Sequence, residues 1–372
     1  MIYADHAATT ALSPKARDAM QPFLEDAYGN PSTLYSLARE PRRAVLHSRE
    51  IIAAAIHANP NEVYFTSGGT EADNWAIKGT AFRYSMGKEI ITDAIEHHAV
   101  LNSCAALSRI GYKTTILPVD SNGIVSSDSI KTAISQNTAI ASIMLANNEI
   151  GTIEPIQVLT DIAHQAGAIF HTDAVQAIGH IPVNVNELQV DMLSASAHKF
   201  NGPKGVGFLY VRSGIALLPL LDGGGQEHGM RGGTENVAGI VGMATALQEH
   251  IEHIERDAAY LQNLSSRLIT QLKQHELDFL INGSNQRIPG SLSLSFKGAD
   301  GEMLLHRLDL MGTAIATGSA CNSKETELSH VIQAIQVPQK YANGTIRITF
   351  GIDNTVEDAD TIAEQIARIL YR

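Results

Sequence analysis

The sequence predicts an α/β fold in which a large domain, built on a mostly parallel seven-stranded sheet, is joined to a smaller α+β domain. Three observations carry that expectation. Seven short apolar runs recur between residues 60 and 212, helical patterns lie between most of them, and a long helical stretch then leads into a remainder of mixed strands and helices. Strands that alternate with helices argue for a parallel sheet, because each helix is the crossover that returns the chain to the same end of the sheet.

The strands are expected at 63–66, 89–92, 114–118, 139–145, 168–172, 191–194 and 206–211, with helices at 71–85, 99–110 and 156–166. Ligands of such sheets sit at the carboxyl ends of the strands, and the motifs described below fall there. Residues 235–275 read as one or two long helices, with few glycines and no proline. The remainder offers strands at 291–296, 313–317 and 345–350 and helices at 302–308 and 356–370. The expected division gives 14–255 to the large domain, and 1–13 together with 256–372 to the small one. Neither an internal repeat nor a low-complexity segment is apparent.

The chain has 372 residues, 44% of them hydrophobic and 18% charged, which suffices for a core that encloses a cofactor. A net charge of −12 leaves no electrostatic footprint for nucleic acid. Two cysteines, Cys104 and Cys321, make no disulfide framework and favour a reducing, cytoplasmic setting. The opening residues lack a basic segment followed by an apolar run, and no apolar stretch reaches the roughly 18 residues of a membrane span, so neither a signal peptide nor a membrane anchor is expected.

The most informative stretch runs from Asp191 through Ser196, His198 and Lys199 to Gly202 and Gly205. A lysine at the mouth of a core strand is partly desolvated, which frees its amine for covalent linkage to an aldehyde cofactor. Ser196 and His198 flank it with donors suited to phosphate. A surface lysine after a strand is the competing reading, and Lys204 is the rival lysine, in a surface turn. Upstream, Asp173 follows an apolar run and can hold the protonated nitrogen of an aromatic cofactor ring, with Gln176 one helical turn away to bond a ring oxygen. Asp173 can equally be a helix cap. In the stretch from Phe65 to Asn74, a strand ends at two glycines, and Gly69 and Thr70 open a helix whose backbone amides make an anion site. A glycine turn with a threonine cap is the plainer reading. His97, after another strand, offers an imidazole to stack on a ring or move protons, against a simple cap. Asn148, in the turn 146–151, offers an amide.

Cys321 lies in a run of small and polar residues, 318–323, where a cysteine is exposed enough to reach a substrate. Cys104 instead lies on a helix face and reads as buried structure. Arg347 sits among apolar neighbours at 344–351, and a buried guanidinium needs a partner. A substrate carboxylate held bidentately and an internal Asp or Glu are the two candidates.

At this point the residues match a family. The segments 3–10, 28–32, 66–71, 96–98, 147–151, 173–176, 196–199, 231–236, 318–321 and 346–347 follow, in order and over nearly the whole chain, the motifs of the NifS/IscS-like cysteine desulfurases. The sequence resembles that group of the class V aminotransferases, which have the pyridoxal-phosphate (PLP) fold type I. The resemblance implies that Lys199 carries PLP and moves the substrate α-proton. It implies that Asp173 pairs with the pyridine nitrogen, Gln176 with the ring oxygen, and that His97 stacks on the ring. Thr70, Ser196 and His198 would hold the phosphate, with Thr234 reaching in from the partner of a homodimer. Asn148 and Arg347 would bind the L-cysteine carboxylate. Cys321 would attack the substrate sulfur as a thiolate, helped by a nearby base such as His97, and keep it as a persulfide. The loop that carries Cys321 resembles the long loop of the first desulfurase group. The sulfur would then pass to an iron–sulfur scaffold or to a thiolation enzyme. An aminotransferase or selenocysteine lyase on the same fold, which shares Lys199 and Asp173, and a non-catalytic homologue that binds sulfur-transfer partners are the alternatives.

Overall fold

The computed structural model describes residues 1–84, 87–317 and 328–371. Cys321 lies outside the described residues. The first strand, β1 (Ile2–Tyr3), belongs to the small part of the molecule. The central sheet follows: β2 (Val63–Thr66), β3 (Glu89–Asp93), β4 (Lys113–Leu117), β5 (Thr138–Ser142), β6 (Ile169–Asp173), β7 (Met192–Ser196) and β8 (Gly207–Val211). Their order across the sheet is β2-β8-β7-β6-β5-β3-β4. β3 to β7 pair in parallel, while β8 runs against both β7 and β2, so one strand of the seven opposes the rest. Every residue of β3, β5, β7 and β8 is buried, because helices cover both faces. That is why these strands read as continuous apolar runs rather than alternating ones.

One expected strand, 139–145, ends as a regular element at Ser142. Its apolar run continues for a physical reason, since Ile143 N–H donates to His171 C=O at 3.1 Å and Leu145 N–H to Asp173 C=O at 2.8 Å. The extended chain therefore accompanies β6 to its end and delivers Met144 and Asn148 to the same place as Asp173.

The long helical stretch is a single helix, Val237–Gln274, of 38 residues, whose first turn is capped by the Asn236 side chain accepting from Gly239 N–H at 3.1 Å. It serves two cores in succession. Ile240, Met243, Ala244 and Leu247 pack into the core under the central sheet. Leu261, Leu264, Leu268 and Leu272, spaced at three and four residues along one face, pack into a second core. That second core lies against β10 (Ser291–Phe296) and β12 (Thr345–Thr349), which with β9 (Phe279–Ile281) form an antiparallel sheet in the order β12-β10-β9. β11 (Thr313–Ala314) pairs in parallel with β1. The expected strand 313–317 is shorter than its apolar pattern, but Ala316 exchanges both backbone hydrogen bonds with Arg347, at 2.7 and 3.1 Å. No helix among the described residues is long and apolar enough to cross a membrane.

A buried ion pair ties the segment before the second domain to the central sheet. Arg49, on the helix Arg39–Ala55, donates to Glu227 at 2.6 and 2.9 Å, and Glu227 also accepts from Phe65 N–H of β2 at 2.9 Å. Glu227 holds a left-handed backbone, φ +46°, so the turn depends on this anchoring. Removing one partner of a buried pair strands the other without solvent. Glu227→Ala is therefore expected to lower the stability by about 3–5 kcal/mol, read as a shifted urea midpoint at unchanged slope.

Candidate active site

The carboxyl ends of β2, β3, β6 and β7 converge on a cavity of about 550 Å³. β2 ends at Thr66, whose hydroxyl donates to Gly68 C=O at 3.1 Å, and the helix Gly69–Ala81 begins one residue later. A Cβ on Gly69 would lie 2.6 Å from the Val175 side chain, so the helix start approaches the β6 turn more closely than any other residue would allow. The first-turn amides of this helix, with Thr70 beside them, form an electropositive end to the cavity. Ser196 closes β7 and faces the same end. His198 follows, with Nδ1 3.2 Å from the Thr9 hydroxyl; burial lowers its pKa to about 4, with the charges of Lys199 and Lys204 adding. The imidazole is therefore a neutral donor beside an anion site.

Lys199 closes the single turn Ala197–Lys199. Its amine donates to Ala7 C=O at 2.6 Å and Ala8 C=O at 2.9 Å. The N-terminal segment thus forms one wall of the cavity. Gln176 also donates to Ala7 C=O, at 2.9 Å.

The same cavity is lined by a buried acidic pair, Asp73 and Asp173. Ligand atoms of Asp73, His97 and Asp173 come within 4.8 Å of one another. One Asp173 oxygen accepts from Val175 N–H at 2.8 Å. Burial raises the Asp173 pKa, opposed by His97, by the Val175 amide and by Lys199. Burial raises Asp73 as well, with the Asp173 charge adding, so the two acids compete for charge in one buried space. His97 caps the helix His98–Ser108: its Nδ1 accepts from Ala99 N–H at 3.1 Å, which leaves the proton on Nε2. Burial lowers its pKa, with Asp173 opposing. The imidazole is both a cap and a cavity residue.

Arg347, on β12, meets both expected kinds of partner. Its Nη1 donates to Asn148 C=O at 2.8 Å and its Nη2 to Asp5 at 2.7 Å, while the buried Nε has no partner among the described residues. The internal carboxylate is therefore real, and Arg347 also lines the cavity. Gly69, Thr70, His97, Asn148, Asp173, Gln176, Ser196, His198, Lys199 and Arg347 all line the cavity. Thr234 does not; it is exposed, on the loop that Arg231 fastens to Glu71 through contacts of 2.8 and 3.1 Å. Lys204 is exposed, as expected of a turn residue, yet borders the cavity. Cys104 is buried, with its thiol pushed up to about 12 by burial. Sequence reasoning missed Asp73 and Glu149, which line the cavity beside quoted motif residues, and Asp5 with Ala7 to Thr9.

Residues 2–362 match the model of the family described as aminotransferase class-V. The cysteine desulfurase IscS of Dictyoglomus turgidum is 49% identical, covering 100% of this chain and 95% of that one. That of Methanosarcina thermophila is 45% identical over 100% of this chain and 92% of its own. The chain belongs to the class-V aminotransferase family, among its cysteine desulfurases. Solved structures agree: a NifS-like protein superposes with a TM-score of 0.94 at 37% identity, covering 100% of this chain and 99% of that one. The structure described as SspA in complex with cysteine gives 0.84 at 34% identity, over 94% and 99%.

The cofactor of this desulfurase is pyridoxal phosphate, and the cavity fits it. Backbone amides, hydroxyls and a neutral imidazole gather at one end, where a phosphate needs donors. A buried carboxyl lines the same cavity, as a ring nitrogen that carries a proton needs, and an amine lies in the wall beside them. A test separates the two acids. Asp173→Asn is expected to lose about a hundredfold or more in kcat and to release cofactor faster on dialysis, because the amide cannot hold a proton on the ring nitrogen. Asp73→Asn keeps the size of a side chain whose charged form burial disfavours, and is expected to leave both within about threefold.

Proposed function

We propose that Lys199, Asp173, Arg347 and Cys321 together convert L-cysteine to L-alanine, with the substrate sulfur ending as a persulfide on Cys321. The reaction balances as L-cysteine plus the Cys321 thiol giving L-alanine plus the Cys321 persulfide. The observation that carries the reading is that an amine-bearing lysine, a buried carboxyl and a guanidinium line one cavity. Pyridoxal phosphate, when bound, supplies an electron sink for the bond electrons at the substrate Cα.

The residues of the chain do the rest. Arg347 and the Asn148 side chain hold the substrate carboxylate. Lys199, once its amine is released, takes the Cα proton and returns it. Asp173 holds the proton of the ring nitrogen, Gln176 bonds the ring oxygen, and His97 lies against the ring. Gly69, Thr70, Ser196 and His198 hold the phosphate. His97 presents Nε2–H, so in its resting state it is a donor; it acts as base toward the Cys321 thiol in the other neutral tautomer, with the proton on Nδ1 and the bond from Ala99 N–H given up. The thiolate is the attacking form, since a thiol with a pKa of about 8.5 is mostly protonated at neutral pH.

The active unit is a homodimer in which Thr234 completes the phosphate site of the partner. Exposed apolar side chains support it: Tyr28, Leu34, Tyr35 and Leu46 surround the segment whose Ser32 hydroxyl bonds Glu235, one residue from Thr234. The domain division at 14–255, against 1–13 with 256–372, is supported by the two cores that the helix Val237–Gln274 serves. The enzyme works in the cytoplasm and passes its persulfide to a sulfur-acceptor protein, an iron–sulfur scaffold or a thiolation enzyme; the names of its relatives support the former.

Given L-cysteine and a thiol reductant, the purified protein is expected to release alanine and sulfide in equal amounts. Cys321→Ala is expected to lose both by at least about a hundredfold while keeping its cofactor. Alanine formation that survives this change would move the activity to another amino-acid substrate or another sulfur acceptor. Thr234→Ala is expected to hold the cofactor several-fold more weakly on dialysis, and equal retention would count against a shared phosphate site.

A further inference from the structure

Behind Lys199, on the side away from the cavity, two histidines brace the turn that carries it. His180 places Nε2 3.0 Å from the carbonyl oxygen of Lys199 itself. A carbonyl offers only lone pairs, so that nitrogen carries a proton and donates. Burial lowers the His180 pKa to about 4, with His250, His6 and Lys199 adding and the bond to the Lys199 carbonyl opposing. The ring is therefore neutral at physiological pH, with its single proton on Nε2.

His250 stands edge-on to His180, ring centroids 5.7 Å apart. Its Nδ1 lies 2.9 Å from Gly179 C=O and its Nε2 2.9 Å from the Asn201 side-chain oxygen. The Asn201 amide cannot turn over freely, because its nitrogen donates to Ala11 C=O at 2.8 Å. Asn201 is further held by its own N–H donating to the Thr10 hydroxyl at 2.8 Å and by its C=O accepting from Ser13 N–H at 2.9 Å. Its backbone is left-handed, φ +59°. Both nitrogens of His250 thus meet acceptors. Burial lowers the His250 pKa, with the bond to the Gly179 carbonyl, Asp257 and Glu249 opposing. The two histidines grip the chain at the carbonyl of Lys199 and two residues beyond, at the Asn201 side chain.

We propose that His180 is a positioning residue for Lys199: its donated hydrogen bond fixes the lysine's own peptide, and so the direction of the amine, with His250 and Asn201 as the brace. Neither imidazole lines the cavity, so neither touches substrate or cofactor. The inference deepens the assignment of Lys199 as the cofactor-bearing, proton-moving residue and rests on it. Loss of the bond lets the lysine peptide rotate, and misplacing a reacting group by about an ångström costs on the order of a hundredfold in rate.

The test compares His180→Leu, which removes the donor, with His180→Gln, which restores one, in the cofactor-loaded enzyme. His180→Leu is expected to lower kcat by about 10- to 100-fold with KM within about threefold. It is also expected to shift the pH midpoint of the visible absorption of the lysine-bound cofactor. The groups facing His180, namely His6, His250 and Lys199, are unchanged in both variants. His180→Gln should recover most of kcat and the original midpoint. Unchanged kcat and midpoint in His180→Leu, or equal losses in both variants, would overturn the proposal. If His180→Leu fails to fold, nitrogen NMR of the wild-type histidines decides: a neutral His180 protonated on Nε2 from about pH 6 to 8 supports it, and a proton on Nδ1 rejects it. Lys199→Ala separates this from the underlying assignment. If that variant keeps the lysine-type absorption, the reading of Lys199 itself falls; if it loses the band while His180→Leu is silent, only the positioning role falls.

Discussion

A carboxyl group buried at the end of a parallel strand must take a proton or meet a cation, and the site is organised around how Asp173 resolves that choice. Two acids, Asp73 and Asp173, share the same buried space, and ionising both in a low dielectric is costly. Burial and the Asp173 charge both favour the neutral form of Asp73. The nearest imidazole below them offers no help: His171 is fully buried, its pKa is lowered to about 3 by burial, and its ring nitrogens lie 2.9 Å from the hydroxyls of Ser142 and Ser194. That neutral ring stitches β5, β6 and β7 together just beneath the carboxyl. The charged form of Asp173 is favoured by His97, by the Val175 amide and by Lys199, while burial opposes it. The sheet thus holds a rigid carboxyl in the cavity wall.

The second constraint is mechanical. The N-terminal segment clasps both halves of the molecule around that anion. Ala4 N–H donates to Ala314 C=O in the small part at 2.8 Å, Asp5 pairs with Arg347, and Ala7 and Ala8 hold the lysine amine. The Thr10 N–H and hydroxyl both donate to His198 C=O at 2.9 Å. Seven residues thus connect Arg347, the Lys199 amine and His198. The small part of the molecule contributes one strand-borne guanidinium to the cavity, and the clasp fixes where that guanidinium stands relative to Lys199.

The sheet was largely legible in the sequence because strands buried on both faces must be apolar throughout, and their flanking helices are amphipathic. Ser291–Phe296 and Val356–Leu370 were legible to the residue, while 139–145 overran its strand because apolar burial continues where regular pairing stops. The helices Pro14–Glu25 and Arg39–Ala55 went unread, although Ser13 and Pro14 carry the signature of a helix start: the Ser13 side chain accepts from Ala16 N–H at 3.0 Å. Within the site, residues that stand alone just past a strand were legible, since polar groups there interrupt the apolar pattern. The carbonyls of Ala7 and Ala8 were not, because a backbone acceptor leaves no trace in residue type. Nor was the partner of Arg347, since nothing local links position 5 to position 347; only the pairing of β1 with β11, and the bridge from Asp5 to Thr349, bring them together.

Arg347 shows why an internal partner and a substrate role do not exclude each other. A guanidinium has five donors in a fixed plane. Asn148 C=O takes one at Nη1 and Asp5 takes one at Nη2, which orients the plane without exhausting it. The buried Nε, lacking a partner among the described residues, is a donor whose desolvation is uncompensated until something accepts from it. A lysine at the same place would put a single point charge against Asp5 and retain no directed edge for a second carboxylate. Asp5 offsets the burial of the charge at rest, and Nε keeps a donor unused among the described residues. The same division of labour holds at Asp173, where one oxygen is fixed by the Val175 amide while the carboxyl as a whole awaits its cation. In both places the fold satisfies just enough of a charged group to aim it, and leaves the remainder of its bonding to the molecules that react.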